Sequence, residues 1–226
     1  MIYGVVVALS ITLGPAPSGD LPYLTTLANH PALSRADFIV FSVSDLLLVP
    51  GAFALYHALG RSAKKLVLVA GVLLAAFVVI DLAVTEYNSL VLVQLAQNYA
   101  GATSDTQRAT AIAEAAAARG ALPIGTMLSY IVSSVGFLLA AIATFRGVFR
   151  RAIGVVGIIG SVEGILGGFY VLSPGFAAFL LPSLVTVGLW AVAVGIRLYR
   201  LGWLESSVGE TPTHAGKVSP LKPSSA

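Results

Sequence analysis

Long apolar stretches separated by polar segments run through most of the chain. The hydrocarbon core of a bilayer is about 30 Å thick, so a helix needs roughly 20 mostly apolar residues to cross it. Five stretches have this length and character: 38–60, 66–85, 122–145, 152–171 and 176–198. The pattern predicts an all-α fold, a polytopic membrane helix bundle that forms a single domain over residues 1–204.

A sixth apolar segment, residues 2–14, is short for a span and ends just before Pro15. One interpretation is a short first helix, which brings the predicted number of spans to six. The alternative is a cleaved signal peptide, but such peptides begin with basic residues, and the first basic residue here is Arg35. We therefore expect a transmembrane helix in this segment.

Two polar segments are predicted to lack long helices. Residues 15–37 contain four prolines and a glycine, which favours irregular chain or at most a short helix. Residues 205–226 are rich in Gly, Pro, Ser and Thr and show no apolar periodicity. We expect this second segment to be a disordered tail.

A separate external helix is predicted over residues 103–119. Ser104 and Gln107 have the spacing of a capping box, and an alanine-rich run follows them. Gly120 is expected to end this helix, with Pro123 just beyond. The alanine face would pack on the mouth of the bundle, either as a lid over a cavity or as a simple connector.

Composition supports a membrane protein over a soluble one. Hydrophobic residues make up 57% of the chain and charged residues only 10%, whereas soluble domains carry roughly 25% charged residues. Disorder of the whole chain is excluded as well, because it requires low hydrophobicity and high net charge. The predicted partner is therefore the lipid bilayer.

The basic residues are divided unequally between the two sides of the predicted bundle. If every span crosses once, most of the 13 basic residues share one side: Arg61, Lys64, Lys65, Arg146, Arg150, Arg151, Arg197, Arg200, Lys217 and Lys222. The positive-inside rule then places both termini in the cytoplasm. The net charge of +3 is thus explained by topology, and we expect no nucleic acid partner.

Four acidic residues lie in or beside the predicted spans: Asp45, Asp81, Glu86 and Glu163. At a rise of about 1.5 Å per residue, Asp45 is roughly 10 Å and Asp81 roughly 6 Å from the same outer surface. Because their helices are consecutive and antiparallel, the two carboxyl groups are expected to face each other and share a proton. Glu163 is expected near mid-membrane, protonated or bonded to hydroxyl groups, and Glu86 at the water interface.

Hydroxyl groups on the fourth predicted span supply partners for these acids. Ser129, Tyr130 and Ser133 share one helical face with Thr126. Together with Asp45, Asp81 and Glu163 they form a predicted binding seam in the external half of the bundle. The alternative is structural: the hydroxyls bond their own backbone and the acids only hold helices together.

Glycines are concentrated in the fifth predicted span. Gly160 and Gly164 form a small-xxx-small pair, which lets another helix approach closely. This face is predicted to serve either internal packing or a contact with a second copy or another membrane protein.

No residue is predicted to be catalytic or to bind a metal or cofactor. The chain has no cysteine and only three scattered histidines, and it lacks phosphate-loop, nucleophile-elbow and zinc-binding motifs. Enzymatic activity is therefore less favoured than a non-catalytic role.

Two strings carry a family resemblance: SDLLLVPGAFALYHALGR in the second span and FRGVFRRAIGVVGIIGSVEGIL at the junction before the fifth. With the six-span layout, they make the chain resemble a bacterial integral-membrane family known as domain of unknown function 4386. The likeness covers most of residues 1–202. It implies a small six-helix membrane protein and no particular activity, and it carries over no site residues.

Three functional hypotheses follow. The first is a plasma-membrane protein of a bacterium or archaeon that binds or passes a small molecule or protons through the polar seam. The second is an accessory or scaffold subunit that docks through its glycine face. The third, the least favoured, is a membrane-embedded enzyme that modifies lipids.

Overall fold

The computed structural model describes residues 19–59, 63–146 and 149–209, and within these ranges it contains helices and no strand. The α-helices are α1 Asp20–Asn29, α2 Pro31–Ala58, α3 Lys64–Ile80, α4 Tyr87–Gly101, α5 Asp105–Arg146, α6 Arg151–Gly168 and α7 Leu180–Gly209. A π-helical segment, Asp81–Glu86, joins α3 to α4 without a break. Two short 3₁₀ turns, Phe169–Val171 and Pro174–Phe179, connect α6 to α7.

Five helices in the described part of the chain are long and apolar enough to cross a membrane. They are Pro31–Ala58, Lys64–Gly101, Asp105–Arg146, Arg151–Val171 and Pro174–Arg200. Each overlaps one of the five longer spans predicted from the sequence, and the predicted span 38–60 ends two residues beyond Ala58. The sixth predicted span, residues 2–14, lies outside the described residues.

The prediction that the external helix ends at Gly120 is wrong. The helix begins after Ser104, whose Oγ accepts a hydrogen bond from the backbone N–H of Gln107 at 3.3 Å. It then continues through Gly120 and Pro123 to Arg146 as the single 42-residue helix α5. A proline removes one helical hydrogen bond, and packing against α4 and α6 on either side of that point keeps the helix continuous.

Two further expectations are corrected at the ends of the described chain. Pro31–Ala36 belong to α2 and not to an irregular loop, because a proline is well accommodated in the first turn of a helix. Residues 205–209 of the predicted disordered tail are helical and continue α7. The remainder of that tail lies outside the described residues.

Helix α5 is the centre of the bundle. It packs against α3, α4 and α6, and α6 in turn packs against α7. Two apolar clusters lie at different levels along α5. The cluster beside the second half of α5, called the lower cluster, includes Leu55, Val67 and Trp190. The cluster beside the first half of α5, called the upper cluster, includes Leu24 and Leu92. The lower cluster adjoins the end of the bundle where α2 and α5 end and α3 and α6 begin, which we call the arginine-rich end.

Helix α1 is held against the upper part of α5 by one arginine. Arg119 donates a hydrogen bond from Nη1 to Oδ1 of Asp20 at 2.7 Å. The same guanidinium carbon lies 4.6 Å from the ring centroid of Tyr23. Leu24 is fully buried in the upper cluster beside this contact.

Replacing Arg119 by methionine is expected to loosen α1, because the variant loses a partly buried ion pair and a cation–π contact of about 0.5–1 kcal/mol each. Limited proteolysis should then cut within Asp20–Asn29 several times faster than in the wild type. Arg108→Met is the matched control, since Arg108 contacts exposed Asp105 in the preceding turn and the carbonyl of Ala102, and neither contact involves α1. Equal cleavage rates for wild type and Arg119→Met would contradict this role.

Candidate functional site

A layer of polar side chains separates the two apolar clusters. It is built from the middle of α2, the π-helical segment and the middle of α5. The register of α5 is set by Gly125, which lies against Val84, and by Gly136, which lies against Leu74. This register puts Ser129 at the level of Asp81, so the polar groups of three chain segments meet at one height in the bundle.

The π-helical segment changes which side chains face α2. In an α-helix, positions five residues apart point about 140° away from each other. A π turn contains roughly 4 to 5 residues. Asp81 and Glu86, five residues apart, therefore lie closer to a common face than they would in an α-helix. The backbone N–H of Tyr87 donates to the carbonyl of Leu82, which is the i to i+5 bond of this geometry.

Side chains of the following turn satisfy carbonyl groups within the π-helical segment. Asn88 donates from Nδ2 to the carbonyl of Val84 at 2.7 Å, and Ser89 donates from Oγ to the carbonyl of Thr85 at 2.8 Å. Widened turns disturb the regular bonding of a helix, and these two side chains compensate for it. The local sequence therefore stabilises the widened turn.

Three acidic groups converge between α2 and the π-helical segment. Asp45 is 6% exposed, and its carboxyl group lies within hydrogen-bonding reach of that of Asp81. Glu86 is close enough to act on Asp45 electrostatically. Two carboxyl groups can bond each other only when one of them carries a proton, because a carboxylate has no donor. The pair is thus arranged to hold one proton between two helices.

Glu86, which the sequence predicts at the water interface, is buried within the protein. Only 6% of it is exposed, and the helix continues beyond it through α4 as far as Gly101. No pattern in the sequence indicates the widened turn that brings Glu86 toward Asp45.

Helix α5 contributes a tyrosine to the same layer. Tyr130 lies near Asp81 and Asp45, and both carboxyl groups act on it electrostatically. Tyr170, in the 3₁₀ turn after α6, is also within reach of Tyr130, and its hydroxyl lies near Thr126. The layer therefore extends from the acidic pair across α5 to the end of α6.

The predicted serines differ in what they contact. Ser133 donates from Oγ to the carbonyl of Tyr130 at 3.1 Å, so its hydroxyl is satisfied by its own helix. Ser129 is 2% exposed and its Oγ has no hydrogen-bond partner in the described structure.

Four buried oxygen atoms in this layer lack a hydrogen-bond partner among the described residues: Ser42 Oγ, Asp45 Oδ2, Thr85 Oγ1 and Ser129 Oγ. Buried polar atoms are almost always bonded to protein or to ordered water. A group of them at one level of an apolar bundle indicates a place where water or a small polar species is held.

The family assignment comes from comparison with known proteins. A family model described as Domain of unknown function (DUF4386) matches residues 2–204. The chain belongs to this family. No curated protein and no solved structure matches the chain. The resemblance stated from the sequence is thereby confirmed, and membership of the family brings no activity with it.

Glu163 stands apart from the acidic pair. On α6, Gly164 lies between Ser134 of α5 and Ser183 of α7, and Gly160 and Gly167 face Val187 and Leu180 of α7. At about 100° per residue, Glu163 falls on the edge of α6 beyond those two glycines, away from α5. Its Oε2 is buried with no hydrogen-bond partner in the described part of the chain, so this atom lacks the predicted hydroxyl bond.

The face of Gly160 and Gly164 is covered within the chain. Ser183 of α7 donates from Oγ to the carbonyl of Gly160 at 2.8 Å. A Cβ atom on Gly160 would meet the backbone nitrogen of Val187 at 2.9 Å. A homodimer or a membrane partner at this face would have to displace α7.

Metal binding finds no support in the described residues, where no group of three or more His, Asp or Glu side chains is placed to hold an ion.

Sequence reasoning missed Glu86 and Tyr170 as members of the layer. Both positions depend on non-α-helical turns, for which the apolar pattern gives no signal.

Proposed function

We propose that this protein is an integral membrane protein of the plasma membrane that binds protons at Asp45 and Asp81 and passes them through the polar layer. The observation that supports the proposal is the close approach of these two carboxyl groups, on separate helices, with Glu86 nearby. Ser129 and Tyr130 belong to the proposed binding layer, Ser133 lies beside it on α5, and Glu163 stands apart on the far edge of α6.

The energetic argument starts from the cost of charge in a membrane. Insertion scales assign about 2.5 kcal/mol or more to an ionised side chain at the centre of a span. A carboxyl pair that keeps one proton carries one negative charge where two separate carboxylates would carry two. Uptake of a second proton removes the remaining charge, so the pair responds directly to proton supply.

Passage also needs groups that relay a proton away from the pair. Hydroxyl groups both donate and accept hydrogen bonds, and Ser42, Thr85, Ser129 and Tyr130 lie at the level of the acids or one turn from it. The unpartnered hydroxyl oxygens of the first three are suited to hold ordered water between them. The same groups would orient a small polar solute if proton movement is coupled to one.

The test is proton flux into liposomes that contain the purified protein and a pH-sensitive dye. After an imposed pH jump, wild-type protein should accelerate internal acidification relative to protein-free liposomes. Asp81→Asn keeps the size and the hydrogen-bonding ability of the side chain but cannot titrate, so flux should fall at least tenfold, to near the protein-free rate. Glu114→Gln is the control, because Glu114 is an exposed acid on the external part of α5.

Both variants must be folded, with circular dichroism spectra and size-exclusion profiles identical to those of wild type. Folded Asp81→Asn protein with wild-type flux would overturn the proposal, as would wild-type flux no faster than that of protein-free liposomes. An equal loss in the Glu114→Gln control would also overturn it, since a general charge effect would then explain the result.

A further inference from the structure

Three arginines line one cavity at the arginine-rich end. The cavity has a volume of about 350 Å³ and lies between the start of α6 and residues 193–200 of α7. Its lining consists of Arg150, Ile153, Ala193, Ile196, Arg197 and Arg200. It is far from the polar layer along both helices and plays no part in the proposed proton site.

Among the described side chains, no acidic group forms an ion pair with these three arginines. The lining of the cavity includes no acidic side chain. The ion pairs found in the described structure are Arg108 with Asp105 and Arg119 with Asp20, both on the other side of the bundle. Three guanidinium groups around one cavity repel each other, so an anion in the cavity would stabilise their arrangement.

The charged and apolar parts of the cavity are ordered along the bundle axis. On α7, Arg197 and Arg200 are one turn apart on the same face, and Ala193 lies one turn deeper. On α6, Arg150 precedes the helix and Ile153 lies deeper within it. The outer rim is therefore cationic and the floor apolar. This order complements a phospholipid, whose anionic phosphate lies at the membrane surface and whose acyl chains lie deeper.

Neighbouring basic residues are disposed differently. The guanidinium carbon of Arg151 lies 5.9 Å from the ring centroid of Phe145, and the ammonium of Lys64 lies 5.0 Å from that of Tyr56. Neither lines the cavity. A general attraction of this end for an anionic surface would involve all of its basic residues. Only three of the described ones, Arg150, Arg197 and Arg200, line the cavity.

We propose that this cavity binds the headgroup phosphate of an anionic phospholipid, with an acyl chain along Ile153, Ala193 and Ile196. The planar fork of arginine matches phosphate oxygens with paired hydrogen bonds. Basic pockets between transmembrane helices are suited to anionic lipid headgroups. The bound lipid would connect the start of α6 to residues 193–200 of α7.

The test is native mass spectrometry of the purified full chain in a mild detergent, titrated with phosphatidylglycerol or with phosphatidylcholine of the same chains. Wild-type protein should retain phosphatidylglycerol at a lipid concentration at least about tenfold lower than phosphatidylcholine, since basic residues attract an anionic headgroup. The double variant Arg150→Gln/Arg197→Gln should lose this preference. Arg146→Gln/Arg151→Gln, which removes the same charge from the same end, should keep it.

Two additional arms separate recognition of a lipid phosphate by the arginine fork from simple attraction between charges. Arg197→Lys keeps the charge but loses the planar fork, so its preference should lie between wild type and the double variant, and this measurement remains if the double variant fails to fold. Excess inorganic phosphate should leave the lipid bound. Equal losses in both double variants, full retention in Arg150→Gln/Arg197→Gln, or displacement by inorganic phosphate would each overturn the proposal.

Discussion

Replacing Gly160 by leucine is expected to destabilise the protein severely. The backbone nitrogen of Val187 lies 2.9 Å from where the new Cβ would stand, and the side chain of Thr186 lies at 3.0 Å. Since a backbone atom cannot rotate away, α7 would have to move outward and the bond from Ser183 to the Gly160 carbonyl would break. Overpacking of this kind costs about 1–3 kcal/mol or more.

Thermal unfolding in detergent, followed by circular dichroism, measures this effect. A loss of 3 kcal/mol corresponds to a fall in Tm of about 10 °C for a chain of this size. Gly195→Leu is the matched control on α7, because a Cβ there meets no atom within 4 Å, and its Tm should stay within about 2 °C of wild type. A Gly160→Leu variant as stable as the control, but altered in oligomeric state, would show that this face contacts another molecule.

The second large effect concerns the coupling between Asp45 and Asp81. Asp45→Leu removes the carboxyl beside that of Asp81 and leaves the Asp81 carboxyl without this neighbour inside an apolar bundle, at an expected cost of about 1–3 kcal/mol. Asp81→Leu should cost a similar amount. The double variant should be less damaged than the sum of the two, because no carboxyl of the pair is left behind, and the coupling free energy should be about 1 kcal/mol or more.

A second cycle pairs Asp81→Leu with Ser44→Ala and serves as the control. The hydroxyl of Ser44 bonds the carbonyl of Val40 in its own helix at 2.7 Å, so its removal should be additive with Asp81→Leu to within about 0.5 kcal/mol. Denaturant unfolding in mixed micelles measures the free energy of unfolding of each variant in both double-mutant cycles. Additivity in the Asp45/Asp81 cycle as well would mean that the two carboxyl groups do not act as a unit.

The candidate site was predictable where it depends on regular helices. Asp45 and Asp81 lie on consecutive antiparallel spans, and a rise of about 1.5 Å per residue is enough to bring them to similar depth. Tyr130 and Ser129 follow from helical spacing on one face. Glu86 and Tyr170 were not predictable, because a π-helical turn and a 3₁₀ turn place them.

The extent of the helices was less predictable than their existence. Gly120 and Pro123 are local signals for a helix end, yet α5 passes through both to make a helix of 42 residues. Its neighbours α4 and α6 contact it above and below that point. Packing along the whole length outweighs a propensity cost of about 1 kcal/mol for glycine and about 3 kcal/mol for proline.

The amino-acid sequence by itself determined the class of the protein. A chain with 57% hydrophobic and 10% charged residues has too few charges to cover a soluble surface, and stretches of roughly 20 residues fit the thickness of a bilayer. These properties depend on single residues and local windows, so no knowledge of neighbours in space is needed. The family resemblance rests on the same kind of local information.

Only the tertiary structure decided which polar groups meet and which glycines are covered. The widened turn at Asp81–Glu86 rotates Glu86 toward Asp45, and the order of packing puts Gly160 against α7 while Glu163 faces away from α5. The physical reason is that lipid and protein are equally apolar partners for a helix. The apolar pattern therefore does not say which face meets which helix, and that choice depends on close packing between particular side chains.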